Sequence, residues 1–275
     1  MTTPLVNASR HDGVMVLELS NPPANTYSYE MMRELDAHVL DARMDSQVHV
    51  IAVTGARPAA AAEGKKQAPE FFCAGADIKM LEGADPYFKY NFCLHANETL
   101  CRLEQTPKLV IAAINGHCVG GGLEIALACD LRIARSGAGK MGLPEVALGV
   151  LPGTGGTQRL ARALGRNKAI ELMAEGATFP VEEAKSLGLL NAVLEVKAGD
   201  FRAAALDYAR KFVPPGKASR AVGFIKRAVT TGLEVGIEQG LALERELQQR
   251  LFEGEDAKEG LAAYNARRPP VFTGK

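Results

Sequence analysis

The sequence has no excess of charge of either sign. Its 32 lysine and arginine residues balance 32 aspartate and glutamate residues, whereas proteins that bind nucleic acid or anionic membranes are usually basic. It also has no run of the roughly 18 uninterrupted apolar residues that a membrane-spanning helix needs, and no secretory or Arg- and Ser-rich transit leader. We therefore expect a soluble, cytoplasmic protein that binds neither nucleic acid nor a membrane.

Patterns typical of disulfide frameworks and metal centres are missing too. The five cysteines are odd in number and form no C-x-x-C pair, and the five histidines form no H-x-x-x-H pair. We expect buried, reduced thiols and no metal site. The cysteines are Cys73, Cys93, Cys101, Cys118 and Cys129.

Known motifs for phosphate-binding loops and for catalytic serines are also missing. The sequence has no G-x-x-x-x-G-K-[ST] and no G-x-S-x-G, and dinucleotide binding is disfavoured. The glycine-rich run LPGTGGTQRL, residues 151–160, is interpreted as a tight turn before a helix rather than a phosphate loop. His117 and Cys118 have no orienting partner in the sequence, which disfavours covalent catalysis.

The apolar pattern predicts an α/β fold. Residues 13–20 and 48–55 are short, rich in β-branched residues and bounded by turn formers, as strands are. Residues 109–116 are uncharged and hydrophobic, which is typical of a strand covered on both faces. A helix is predicted between the first two strands. Its apolar positions are Met31, Leu35, Val39 and Leu40.

Two other regions differ in composition. Residues 57–70 are low in complexity and contain two prolines, which predicts a solvent-exposed loop. Beyond Asp200, long helical patterns predict a helical region with its charged residues mostly on the solvated face. We therefore divide the chain into a core, residues 1–198, and a C-terminal helical region, residues 199–275.

Two carboxylates stand alone in apolar segments. Glu124 is the only formally charged residue in residues 109–129, and Glu145 is the only one in residues 141–158. A buried carboxylate needs a partner or takes a raised pKa. One interpretation is an ion pair; the other is a general acid and base, which the glycine-rich backbone beside both glutamates favours. The candidate ion-pair partners are Arg132, Arg135 and Arg159.

Glycine runs lie next to these carboxylates. The run at residues 120–122 follows a predicted strand and opens a short helix, so unpaired backbone N–H groups and the positive end of the helix dipole converge there. Gly75, in FFCAGADIK, allows a sharp turn that exposes the N–H of Ala76. Donors from two such loops can form an oxyanion hole for a carbonyl oxygen that gains negative charge.

With these segments in place, the sequence resembles the enoyl-CoA hydratase/isomerase (crotonase) family. The matching segments are FCAGADIKML, AINGHCVGGGLEIALACDLRIA, GLPEVALGVLPGTGGTQRL and EAKSLGLLNAV, in the family's order. The resemblance covers most of the chain and is densest over residues 72–160. It implies a spiral of repeated ββα units and a C-terminal helical region that builds a homotrimer or a dimer of trimers.

The resemblance also implies the chemistry. Family substrates are acyl thioesters of coenzyme A, which is part of the substrate, so no separate cofactor is expected. In the hydratases of the family, the thioester oxygen is bound by the N–H groups that match Ala76 and Gly121. The two acid/base positions fall on Glu124, which takes a proton from water as it adds to C3, and on Glu145, which gives a proton to C2.

Further substrate-binding positions follow from the same resemblance. Residues of the oxyanion turn and the NPPANTY segment are expected to contact the coenzyme, and AAYNARR resembles the segment that reaches a neighbouring subunit's coenzyme. These positions are Ala24, Ala74, Asp77, Ile78, Tyr264 and Arg267.

Substrate choice stays open at this stage. The spacing of 21 residues between Glu124 and Glu145 is one longer than in typical hydratases, and residues 57–70 are longer than usual. Hydration of a trans-2-enoyl-CoA is the leading hypothesis because both carboxylates are present. The alternatives are a Δ3,Δ2-enoyl-CoA isomerase, a hydratase of a branched or aromatic acyl-CoA, and an inactive CoA-binding or RNA-binding relative.

Overall fold

The structure is a computed structural model that describes residues 3–60 and 66–275. Short strands and helices alternate along the core, and helices predominate after residue 200. The strands are β1 (Val6–His11), β2 (Val14–Leu19), β3 (Val50–Gly55), β4 (Phe71–Cys73), β5 (Leu109–Ile114), β6 (His117–Val119), β7 (Leu131–Arg135), β8 (Lys140–Gly142), β9 (Thr178–Pro180) and β10 (Ala192–Leu194).

The helices follow the same order. Short 3₁₀ turns lie at Glu145–Leu148 and Ala198–Asp200. The α-helices are α1 (Tyr29–Met44), α2 (Ile78–Gly83), α3 (Pro86–Gln105), α4 (Gly121–Leu127), α5 (Gly156–Leu164), α6 (Arg166–Glu175), α7 (Val181–Ser186), α8 (Phe201–Arg210), α9 (Ser219–Gly232), α10 (Ile237–Phe252) and α11 (Glu255–Asn265).

The described strands form two sheets. The larger has the order β1-β2-β3-β5-β7-β10 and is parallel except for the β1–β2 hairpin. The smaller has the order β4-β6-β8-β9. Three successive segments each add one strand to the large sheet, one strand to the small sheet and then a helix. They are β3, β4 and α2; β5, β6 and α4; and β7, β8 and, after a 3₁₀ turn, α5. This is the expected α/β fold with repeated ββα units.

The predicted strands at residues 13–20, 48–55 and 109–116 are confirmed as β2, β3 and β5. β3 and β5 are buried along their whole length, as expected for strands covered on both faces. The helix prediction is right for α1 but wrong for Leu40, which is 40% exposed. One residue is 100° of helix rotation, so Leu40 lies outside the stripe that contains Val39.

The two ends of the loop at residues 57–70 lie next to each other. A Cβ added to Gly55, at the end of β3, would lie 2.0 Å from the backbone oxygen of Phe71, at the start of β4. The carboxylate of Glu70 accepts hydrogen bonds from Arg57 at 2.8 Å and from Arg135 of β7 at 3.3 Å. The ends of the loop are therefore held together, while its residues 61–65 lie outside the described part.

The C-terminal region packs on the core through α8 and α9. Its charges lie mostly on the solvated face, as expected, and the buried exceptions are Lys226 and Asp256. The Lys226 ammonium pairs with Asp130 at 2.8 Å, and Asp256 accepts from the N–H groups of Thr273 and Gly274. The division at residue 198 stays a prediction. No helix in the described ranges is both long and apolar enough to cross a membrane.

Candidate active site

Glu124 lies in the second turn of a short, fully buried helix. α4 begins immediately after β6, and its N-cap, Gly120, has a φ of 56°, a left-handed conformation that glycine adopts without a Cβ clash. All seven residues of α4 are buried, and Glu124 is 2% exposed. The burial predicted for this carboxylate is confirmed.

The Glu124 carboxylate is held by neutral donors. Its Oε1 accepts from the backbone N–H of Thr154 at 2.8 Å and of Gly156 at 2.7 Å. Its Oε2 accepts from the hydroxyl of Thr154. These three donors satisfy Glu124 without a cation.

The proposed arginine partners of Glu124 bind elsewhere. The ion-pair interpretation is therefore wrong within the described part of the chain. Arg132 donates to the backbone oxygens of Cys129 and Leu189, Arg135 pairs with Glu70, and Arg159 pairs with Glu104.

Glu145 is the first residue of the 3₁₀ turn after β8 and is only partly buried. Its Oε2 is inaccessible and has no hydrogen-bond partner among the described residues. Burial raises the pKa of Glu145 to about 7; its own backbone N–H works in the opposite direction, and the charge of Glu124 adds to the rise. The burial that the apolar composition predicts for this segment is right for Met141 and Leu143 but wrong for Leu148 and Leu151, which are 63% and 65% exposed.

The Glu145 carboxylate approaches the start of the helix that contains Glu124. A Cβ added to Gly120 would lie 3.1 Å from Glu145 Oε1, and one added to Gly156 would lie 3.0 Å from Glu124 Oε1. Glu124 itself belongs to the helix that Gly120 caps. Glu145 therefore faces the start of α4, close enough to Glu124 for the two charges to interact.

The two candidate oxyanion donors are the N–H groups of Ala76 and Gly121, and the backbone segments that contain them are in direct contact. Tyr27 and Ala76 form a parallel bridge that uses the N–H groups of Tyr27 and Asp77, so the intervening N–H of Ala76 points away from that bridge. Gly121 is the first residue of α4, and an N–H at this position has no intrahelical acceptor. A Cβ added to Gly75 would lie 3.3 Å from the Gly121 nitrogen.

The predicted coenzyme-contacting residues fall into two groups. Ala24 and Ala74 meet beside the oxyanion turn, where the Ala74 N–H donates to the Ala24 oxygen at 3.1 Å. Asp77 caps α2 by accepting from two backbone N–H groups, and Ile78 is 53% exposed. The second group lies apart from this turn, in the last helix and just after it: Tyr264, which is 84% exposed, and Arg267.

Sequence reasoning missed Thr154 and Tyr27. The run at residues 151–160 does turn into a helix, as predicted, but two of its N–H groups also bind a carboxylate of the chain itself. Tyr27 is buried, and its hydroxyl lies 3.3 Å from Thr154 Oγ1. The available signal was the glycine-rich helix start, a common anion-binding arrangement.

A further glycine pattern lies just before β8. The spacing G-x-G-x-x-G occurs at residues 137–142, GAGKMG. In the structure it forms a turn followed by β8, whereas the dinucleotide motif follows a strand and opens a helix. This segment therefore lacks the context for binding a dinucleotide.

The chain matches known proteins over nearly its whole length. The family model for enoyl-CoA hydratase/isomerase matches residues 9–275. The mitochondrial methylglutaconyl-CoA hydratase of Mus musculus is 36% identical over 267 residues, covering 96% of this chain and 80% of the mouse protein. The short-chain-enoyl-CoA hydratase of Clostridium acetobutylicum is 36% identical over 256 residues, covering 93% and 92%.

Solved structures agree with this relationship. An enoyl-CoA hydratase from Geobacillus kaustophilus HTA426 superposes with a TM-score of 0.91 at 41% identity, covering 100% of this chain and 98% of that one. An enoyl-CoA hydratase from Bacillus anthracis gives a TM-score of 0.87 at 31% identity, covering 98% and 100%.

Proposed function

This chain belongs to the enoyl-CoA hydratase/isomerase family, and we propose that within it the protein hydrates a trans-2-enoyl-CoA to the 3-hydroxyacyl-CoA. The reaction is reversible and is expected to need no resident metal or redox cofactor. The observation that carries the proposal is that Glu145 Oε1 approaches Gly120, at the start of the helix that contains Glu124, close enough for the charges of the two glutamates to interact. Hydration needs both a base and an acid at adjacent carbons, and this arrangement supplies both.

The two glutamates suit different roles because their surroundings differ. Glu124 accepts three hydrogen bonds, which orient its carboxylate as a general base toward water. Burial raises the pKa of Glu145 to about 7, so a large share of this group is protonated near neutral pH and can give a proton to C2.

The oxyanion donors complete the site. In the proposed complex, the N–H groups of Ala76 and Gly121 bind the thioester oxygen and stabilise the enolate that forms as water adds to C3. The coenzyme would run past Ala24, Ala74, Asp77 and Ile78. Tyr264 and Arg267 would come from a neighbouring subunit of a homotrimer or of a dimer of trimers.

Loss of the enoyl absorbance of crotonyl-CoA is the direct test. We expect the wild-type protein to hydrate this substrate, and Glu124→Gln to reduce kcat about 10²- to 10⁴-fold because a general base is removed. Binding of the CoA thioester to this variant should be nearly unchanged, since Gln has the shape of Glu. Near-normal turnover by Glu124→Gln would contradict the assignment.

Alternative substrates are separated by the same assay. Consumption of a 3-enoyl-CoA, but not of crotonyl-CoA, would favour the Δ3,Δ2-isomerase. The similarity to a methylglutaconyl-CoA hydratase supports including branched enoyl-CoAs in the panel. A protein inactive toward all of them that shifts RNA at physiological salt would favour the non-enzymatic alternative.

A further inference from the structure

Thr154 lies between Glu124 and Tyr27 in the buried centre of the site. It is 1% exposed, and its side chain touches both neighbours. Its hydroxyl donates to Glu124 Oε2, and its oxygen lies 3.3 Å from the hydroxyl of Tyr27. The three groups form a continuous hydrogen-bonded chain that ends at the proposed base.

The direction of this chain follows from the chemistry of its members. An ionised carboxylate only accepts hydrogen bonds, so the single hydroxyl proton of Thr154 points to Glu124. The Thr154 oxygen then acts as acceptor for Tyr27, whose phenol must be the donor. Burial, followed by the charge of Glu124, raises the pKa of Tyr27 well above its usual value, so the phenol keeps its proton.

We propose that Thr154, supported by Tyr27, is a positioning residue that directs one lone pair of Glu124 Oε2 toward the attacking water. This inference rests on the proposed function, in which Glu124 is the general base. Oε1 already accepts two N–H groups and Oε2 accepts one hydroxyl. The unused acceptor position is on Oε2, which is therefore the atom that takes the proton.

The proton balance is then complete. The water oxygen uses a lone pair to bond to C3, and one of its O–H bonds breaks, with the proton moving to Glu124 Oε2. The π electrons of the C2–C3 bond pass into the thioester enolate, which then takes the proton of Glu145 at C2. Exchange with solvent removes the proton from Glu124 and restores the one on Glu145.

Tyr27 also connects this chain to the oxyanion donors. Its backbone N–H donates to Gly75 and its backbone oxygen accepts from Asp77. Its ring covers the start of α4, since a Cβ added to Gly121 would lie 2.2 Å from the Tyr27 ring. One residue thus contacts both the oxyanion turn and the threonine that holds the base.

Several charged or titratable groups surround Glu124 and Thr154 and must stay constant in a test. The Arg159 guanidinium donates to the Thr154 backbone oxygen and is neutralised by Glu104. The groups whose charges interact with Glu124 are Glu145 in the 3₁₀ turn, Tyr27 before α1, Cys73 in β4 and Cys93 in α3.

The test measures kcat and KM for crotonyl-CoA in Thr154→Val, Thr154→Ser and Tyr27→Phe. Valine keeps the shape of threonine and removes the hydroxyl. Because a hydrogen bond that orients the Glu124 carboxylate is lost, kcat should fall about tenfold while KM stays unchanged. Serine should restore the wild-type kcat, and Tyr27→Phe should lower it less than valine does.

A matched control is Thr157→Val, two residues into α5, whose hydroxyl contacts Gln158. It should leave kcat and KM unchanged. An independent measurement is the carbon-13 NMR signal of the Glu124 carboxyl at fixed pH, assigned by its loss in Glu124→Gln. Loss of the Thr154 hydrogen bond should move this signal in Thr154→Val and leave it in place in Thr157→Val.

The outcomes separate the two proposals. An active wild type whose kcat and Glu124 carboxyl signal are both unchanged in Thr154→Val overturns the role of Thr154. A wild type that hydrates no enoyl-CoA, while Thr154→Val still moves the Glu124 carboxyl signal, overturns the hydratase assignment and retains Thr154 as the group that positions Glu124.

Discussion

The pKa of Glu145 makes a prediction about rate. If Glu145 gives its proton to C2, activity requires the protonated form, and kcat/KM should fall as pH rises through about 7. The measurement is the pH profile of hydration between pH 5 and 9. Glu145→Gln should show a low rate with no basic limb in this region, and a wild-type profile that stays flat to pH 9 contradicts the role.

The raised pKa of Glu145 also predicts how the stability of the protein depends on pH. A carboxyl whose pKa is raised to about 7 in the folded protein contributes stability that is fully present below its unfolded pKa and is lost as pH rises through 7. The effect is on the order of 1 kcal/mol once its partial exposure is discounted. Thermal unfolding of Glu145→Gln should therefore lack this loss between pH 5 and 8.

At the scale of single residues, the sequence predicted the two candidate acid–base glutamates but not the groups that hydrogen-bond to Glu124. Glu124 and Glu145 are visible because each is the only charge in an apolar segment. Thr154 is not visible in this way, because a hydroxyl in a glycine-rich turn has many possible partners. Its partner is 30 residues away, and only folding brings the two together.

Among the secondary-structure elements, length decides what can be predicted. β2, β3 and β5 each have six residues, enough for apolar patterns to indicate strands. β4, β6 and β8 have three residues each, which is too short to show any alternation. The repeated ββα unit was therefore expected from the family resemblance and not from the pattern.

α9 gives a prediction at this scale, because its Lys226 reaches into the core. The ammonium donates to the backbone oxygen of Lys108 at 3.0 Å and pairs with Asp130 at 2.8 Å. Lys226→Met would leave the buried Asp130 charge without its cation, at a cost of about 3–5 kcal/mol. Urea unfolding at constant m-value measures the loss.

The matched control is Arg227→Met, the next residue on the same helix but exposed to solvent. Its effect should stay within about 0.5 kcal/mol. Adding Asp130→Asn to Lys226→Met should recover part of the stability, because the uncompensated charge is then gone. An equal cost for the two single variants would mean that the buried pair does not join α9 to the core.

At the scale of the whole molecule, the proposed coenzyme contact of Arg267 raises the question of which subunit's site this arginine serves. We expect Arg267→Ala to raise KM for crotonyl-CoA about tenfold, through loss of one charge-assisted contact to a phosphate. If Arg267 serves a neighbouring subunit's site, the two defects can complement each other. Unfolding Arg267→Ala and Glu124→Gln together and refolding the mixture should give some sites in which the Arg267→Ala chain supplies Glu124 and the neighbouring Glu124→Gln chain supplies Arg267. Steady-state rates at low substrate, before and after mixing, measure this.

Refolding either variant alone is the control for this experiment. No gain on mixing, with sedimentation showing that trimers or hexamers have formed, would place Arg267 in its own chain's site or outside any site. A sedimentation coefficient of a monomer at all concentrations would contradict the proposed assembly itself.

The joined ends of residues 57–70 have a practical consequence. Gly55 and Phe71 are in contact, and Glu70 holds Arg57 on one side and Arg135 on the other. Residues inserted between these two anchors would begin and end at adjacent, fixed points. The length of the insertion would therefore not change the positions of β3 and β4. That segment is a natural position for grafting an affinity tag or a fluorescent reporter.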